Sequence, residues 1–243
     1  MASRKAGKTH EEARDQSRTA LTKAATAMLL EEAQRNPFAG MRVRDLCERA
    51  GYSTGTFYAR WPDAETFYIE LASQLLDSVI EEDFDELQGV AREAAKLTGA
   101  EAIMRLATAD LSILLENDHW DAVELLNVTW ARTRLREPAA RGFRSIDELT
   151  ADTYLIVLDE MGREPRPPLE AHHIGVVLQA LVEGFGLRAK IDAAGIESPN
   201  ASSPSLYPLA VASVLAMLTR PRQEDRSLTQ ALDDEFGTNR GTT

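Results

Sequence analysis

Cysteine is almost absent: Cys47 is the only one in 243 residues. One thiol cannot form an intramolecular disulfide or a multi-cysteine zinc site. On the apolar stripe of its segment, Cys47 reads as a small packed hydrophobe rather than a redox sensor. No apolar run approaches the roughly 18 residues of a membrane span, so no membrane partner is expected. The leading segment MASRKAGKTHEEARDQSR has no apolar core; it does not read as a secretory signal, and a cytoplasmic protein is expected. Histidine is scarce too, at four. His172 and His173 are adjacent and so do not form an i, i+4 chelating pair, while His119 stands alone; neither a metal nor another cofactor is expected. No nucleophile elbow, phosphate loop or dinucleotide fingerprint is present, and nothing in the sequence supports an enzyme. Alternating strand patterns and internal repeats are also missing.

Positive charge is in the minority, 27 Lys/Arg against 39 Asp/Glu, for a net charge of −12. The imbalance is uneven along the chain. Residues 1–62 hold 11 cations and 7 anions, net +4, and residues 63–243 hold 16 and 32, net −16. Cationic charge thus collects at one end, as phosphate binding requires, while the acidic remainder would repel a nucleic acid.

What is present is helical periodicity. Leu21, Ala24, Ala25, Met28 and Leu29 recur at helix spacing within about Glu11–Arg35, which Asn36-Pro37 ends. Val43, Leu46, Cys47 and Ala50 form a stripe at i, i+3, i+4 and i+7. Gly51 follows where the chain must turn, and Ser53 is placed to cap a short helix over Thr54–Arg60. Asp63 can cap the next helix, to about Phe84, whose apolar face is Phe67, Leu71, Leu75 and Val79. Longer helices are expected near 99–116, 119–136, 139–162, 168–192 and 204–220, separated by Gly99, Asn117-Asp118, Pro138, REPRPP and SPNASSPS. The residues after Arg220-Pro221 are polar and expected to fray. The pattern predicts an all-α fold: a disordered basic arm over 1–10, a three-helix helix-turn-helix head over 11–62, and a connecting helix over 63–84. A larger helical domain over 85–220 and a polar tail over 221–243 complete it.

Two short helices around a tight turn, the second opening in small hydroxyl and glycine residues, is the layout of a helix-turn-helix DNA reader. Leu21, Ala24 and Ala25, then Val43, Asp45 and Leu46, Ala50-Gly51-Tyr52-Ser53, Gly55-Thr56-Phe57-Tyr58 and Trp61-Pro62-Asp63 resemble the DNA-binding domain of the TetR family of one-component transcriptional regulators. The resemblance covers about residues 17–70. Thr54 and Ala64 stand where relatives often carry lysines, and Arg42 where a threonine is common; Arg42, Arg44 and Arg60 can supply replacement charge.

In the short helix, Thr54, Gly55 and Thr56 occupy the first turn. Gly55 permits close approach, and the threonines offer hydroxyls and methyls to bases or phosphates. The resemblance gives Tyr58 a phosphate contact. With Ser53, Arg42, Arg44 and Arg60, these residues form the expected DNA-binding set.

The resemblance also implies that 85–220 is a ligand-binding and dimerisation domain. Trp120, Val123, Asn127, Trp130 and Arg134 fall on one line of the 119–136 helix, and an amide between tryptophans suits a mostly apolar pocket. Asp110, Phe143 and Tyr154 would complete that pocket for a small apolar or amphipathic effector, or pack as core. Ile174, Val177, Leu178, Leu181 and Phe185, with Leu209, Val214 and Met217, form faces suited to a two-fold four-helix seam, the pair that dimerises in the family. The expectation is a homodimeric, ligand-responsive repressor on a palindromic double-stranded DNA operator. The alternative is an all-helical small-molecule-binding or interaction protein whose DNA binding is weakened or lost.

Overall fold

The computed structural model describes residues 42–236, apart from 118, 119, 121, 124–135 and 198–204. The expected first helix, the basic arm and most of the 119–136 helix lie outside the described residues. Among those described, the chain is all-α. In chain order the helices are α1 (Val43–Ala50), α2 (Thr54–Tyr58), α3 (Ala64–Ala94), α4 (Ala100–Glu116), α5 (Arg136–Glu160), α6 (Ala171–Ile191), α7 (Leu206–Leu218) and α8 (Leu228–Phe236). A 3₁₀ turn spans Ala193–Ile196, and two three-residue strands, β1 (Arg163–Pro165) and β2 (Thr219–Pro221), pair antiparallel with Glu164 opposite Arg220. Among the described residues no helix is long and apolar enough to cross a membrane.

The chain divides into two compact units, with breaks at 72/73, 123/124 and 138/139. In the first unit, α1 ends in a double hydrogen-bonded turn. Gly51 sits at φ 75°, its N–H donating to Glu48 O at 3.2 Å, and Tyr52 N–H donates to Cys47 O at 2.9 Å. A Cβ-bearing residue would be strained in that left-handed conformation. Ser53 then starts α2, its Oγ accepting from Thr56 N–H at 3.1 Å. The helix stops at Tyr58, two residues short of the expectation, because the N–H groups of Arg60 and Trp61 both turn back onto Phe57 O. Asp63 caps α3 as expected, accepting from the Thr66 N–H and hydroxyl at 2.7 and 2.9 Å; the Thr66 backbone bond, then the hydroxyl, lowers its pKa. Phe57 is buried, and its ring meets those of Trp61 at 5.1 Å and Phe67 at 5.2 Å.

In the second unit, α4 packs on α6 and α7, α6 on α7, and α8 on α7. Ala102, Ile103, Leu106, Ala107 and Leu114 of α4 are buried, as are Ile174, Leu178 and Val182 of α6 and Tyr207, Val211 and Leu215 of α7. At Gly175 an added Cβ would lie 1.8 Å from Asp147 O, so α5 and α6 meet there in a way that admits no side chain.

Two differences from the sequence expectation concern its ends. Helix α3 continues to Ala94, ten residues past Phe84. Residues 222–236 are also tied down. Arg166, 5% exposed, donates to Glu224 Oε1 at 2.7 Å and to the carbonyls of Met217, Thr219 and Arg226 at 3.1 Å. Those bonds anchor the stretch leading into α8, where Arg226 pairs with Asp234 at 2.9 Å. A buried guanidinium demands such complete pairing, and the proline-rich run around it gave no periodic signal of burial.

Candidate functional site

In the first unit, the capped turn fixes what α2 presents. Cys47 and Phe57 face inward. Arg42, Arg44, Ser53, Thr54, Gly55, Tyr58 and Arg60 are exposed, and Thr56 is half-buried. The Thr56 and Ser53 hydroxyls lie 3.0 Å apart, so Thr56 is engaged in the cap, whereas Thr54 is the outward hydroxyl of the first turn. Arg44 Nε lies 3.2 Å from Asp45 Oδ1, a pairing so exposed that it costs little to break. Tyr58 is 53% exposed, with its ring edge-on to Phe57 at 5.2 Å. Trp61 is half-buried and donates from Nε1 to Glu70 Oε2 at 2.8 Å, bracing the start of α3 against the turn that follows α2. The structure therefore brings the expected contact residues onto one short segment with its apolar side pinned. Tyr52, at 63% exposed, also belongs to that segment and was not on the expected list; its place beside the capping serine was the available signal.

In the second unit, Asp110 and Tyr154 come together, and Tyr207 joins them. The Tyr154 and Tyr207 hydroxyls donate to Asp110 Oδ2 at 2.9 and 2.8 Å, and all three side chains are buried. Burial raises the Asp110 pKa to about 6; the two tyrosine bonds oppose the rise and nearby Asp83 adds to it. Both tyrosines are pushed well above their ordinary pKa, first by burial and then by the Asp110 charge. They remain neutral donors. Tyr207 was legible in principle, since Tyr207, Val211 and Leu215 repeat at steps of four.

Trp120 is buried and donates from Nε1 to Asp83 Oδ2 at 3.1 Å, while Asn117 Nδ2 donates to Asp83 Oδ1 at 2.7 Å. Phe143 is half-buried. Asn127, Trp130 and Arg134 lie outside the described residues. The polar groups that are described, Asp110 and Trp120, are thus satisfied by neighbouring side chains.

The expected dimer face divides. Ile174 and Leu178 are 0% exposed within a single chain, on the side of α6 that packs on α4 and α7. Val177, Leu181, Phe185, Leu209, Val214 and Met217 are half-buried. The outward apolar residues of α6 are Val176, Leu187 and Ile191, with Ile191 75% exposed. Within the chain Gly175 and Gly186 admit the close approach of Asp147 and Leu114, whereas a Cβ at Gly184 would meet nothing within 4 Å among the described residues.

Glu170, His172 and His173 converge at the start of α6, their ligand atoms within 4.8 Å of one another. Here adjacency put two histidines side by side, rings 3.8 Å apart, where sequence spacing ruled out only an i, i+4 pair. All three are exposed, and His173 Nδ1 is already occupied by the Glu170 N–H at 3.0 Å. The positive end of the helix also opposes a cation there, so the arrangement reads as a cap.

Fold and site together define an all-α chain with a capped, outward-facing helix-turn-helix segment. No protein-family model matches the chain, and no curated protein matches it. A solved structure from Rhodococcus sp., described provisionally as a TetR-family transcriptional regulator, matches with a TM-score of 0.43 at 21% identity, over 77% of this chain and 91% of that one. At that level the likeness leaves the family question to the residues themselves.

Proposed function

We propose that the protein is a DNA-binding transcriptional regulator of the TetR type rather than an enzyme. In this reading it is a cytoplasmic homodimer that represses from a palindromic operator and is released by a small apolar or amphipathic effector. The observation that carries it is the segment 51–60. A left-handed glycine and a serine cap hold a short helix whose inner residue, Phe57, is buried, while Thr54, Gly55 and Tyr58 face out beside three exposed arginines. Among the described residues of the first unit, those side chains are left exposed by the packing. The hydroxyls and guanidinium groups suit base edges and phosphates, and the bare glycine suits close approach.

Residues 11–62 are read as the DNA-binding domain, 63–84 as the connection and 85–220 as the effector and dimerisation domain. Two heads in successive major grooves require a spacing near the roughly 34 Å helical repeat, and an effector that favours another spacing would release them. The outward faces of α6 and α7 are read as the dimer seam, with Val176, Leu187 and Ile191 at its centre in place of Ile174 and Leu178. The test is selection of binding sites from a random duplex pool, followed by a salt titration on the selected duplex. A palindromic site whose affinity falls steeply with salt is the expected result. Absence of binding at the lowest salt would overturn the reading and leave the alternative of a helical ligand-binding or interaction protein.

A further inference from the structure

Tyr52 is the most exposed of the large hydrophobic side chains around α2, at 63% against 53% for Tyr58. Its backbone is fixed from both sides. Its N–H closes α1 onto Cys47 O at 2.9 Å behind the left-handed Gly51, and Ser53 begins the capped α2 directly after it. Its side chain makes no hydrogen bond or ring contact with another described residue. An exposed aromatic is ordinary by itself. This one stands out because its backbone is fixed beside the segment read as the DNA contact, while its side chain is left exposed among the described residues.

Charge gives a reason for such a residue. Residues 42–62 carry four arginines, at 42, 44, 49 and 60, against two carboxylates, Asp45 and Glu48, a net of +2. That is a small positive charge for a segment read as holding phosphates. Neutral hydroxyl donors can share the task, since a donor aimed at an anionic oxygen needs no charge of its own. Tyr52 and Tyr58 stand before and at the end of α2, and both are exposed.

We propose that Tyr52 is a second DNA-backbone contact, donating its hydroxyl to a phosphate as Tyr58 is read to do. The inference rests on the DNA-binding reading given above, and it makes the two tyrosines neutral phosphate contacts flanking α2. A hydroxyl displaces no condensed counterion, so its loss lowers affinity without changing the salt slope. Loss of an arginine on a phosphate lowers the slope by about one.

The test uses the full-length protein, a short mixed-sequence duplex and the duplex recovered by selection, each across a salt series. Tyr52→Phe keeps the ring and removes only the hydroxyl, with unchanged helicity and melting as the control for folding. The expected result is a roughly tenfold loss of affinity on both duplexes with the salt slope unaltered. Tyr52→Phe with Tyr58→Phe should multiply the two losses, as for contacts without shared partners. Wild-type affinity in Tyr52→Phe while the wild type binds DNA would overturn the contact and leave the DNA reading standing. A loss confined to the selected duplex would overturn it too, because it would make Tyr52 a base reader. If the wild type binds neither duplex even at the lowest salt, the DNA reading fails and the contact falls with it.

Discussion

Among the described residues, a methyl group added at Gly55 would meet nothing nearer than Ser53 Oγ, at 3.6 Å, an ordinary contact, and Gly55 has no positive φ to protect. The described packing does not require glycine there, whereas the proposed close approach to DNA does. Gly55→Ala should therefore fold at least as well as wild type, gaining roughly 0.5–1 kcal/mol from helix propensity. It should bind operator DNA roughly tenfold or more weakly, which melting curves and a binding titration would show; equal DNA affinity would remove Gly55 from the interface. Asp110 is the opposite case, a residue the core has to accommodate. Its folded pKa, about 6, lies above the unfolded value near 3.8. The stability it contributes is therefore fully present below the unfolded value and is lost as pH rises through about 6. Between pH 7.5 and 5 this carboxyl should add on the order of 1 kcal/mol to wild-type stability as it takes up a proton. Asp110→Asn keeps an acceptor for Tyr154 and Tyr207 and should lose that increment. The measurement is the wild-type-minus-variant difference in denaturant midpoint at the two pH values; a difference that stays constant would mean Asp110 does not titrate there.

Among the elements, α6 separates what periodicity can say from what it cannot. Ile174, Val177, Leu178, Leu181 and Phe185 were legible as an apolar face, but a helix apolar nearly all round gives no sign of which side meets its own chain. The structure turns Ile174 and Leu178 inward and leaves Val176, Leu187 and Ile191 outside. Leu187→Glu with Ile191→Glu should give monomers in sedimentation with melting nearly unchanged, since both positions are already in water in the single chain. Leu178→Glu should instead unfold the chain, because it places an unpaired charge among α4 and α7. A double variant that stays dimeric would move the seam elsewhere. The turn between α1 and α2 was fully legible because its cues are local: a glycine at positive φ, a serine cap and an apolar stripe one turn long. Asp83 under Trp120 and Arg166 under the tail were not, since each is satisfied by partners 34 or more residues away, a separation at which no spacing rule operates.

For the molecule as a whole, the proposed ligand-responsive regulator would be a linkage device, and linkage makes a demand that contacts alone do not. If a compound lowers operator affinity by some factor, bound operator must lower the compound's affinity by the same factor. Compounds can be found by melting-temperature screening, since any ligand confined to the folded state raises it. Trp120 offers an internal reporter, being buried in the second unit with its Nε1 on Asp83. Trp61 lies in the first unit on Glu70, and a Trp61→Phe background removes its signal. In that background a true effector should shift tryptophan emission and weaken the operator complex. Its dissociation constant, measured by calorimetry with and without saturating operator, should change by the factor seen for DNA. To drive the protein from mostly bound to mostly free, that factor must approach 10⁴, a differential of roughly 5.5 kcal/mol between the two states. A compound that stabilises the protein and shifts the emission but leaves operator affinity untouched is a ligand of the helical unit without being its signal. If every stabilising compound behaves that way, the second unit binds small molecules independently of DNA, and ligand-responsive repression is the wrong account.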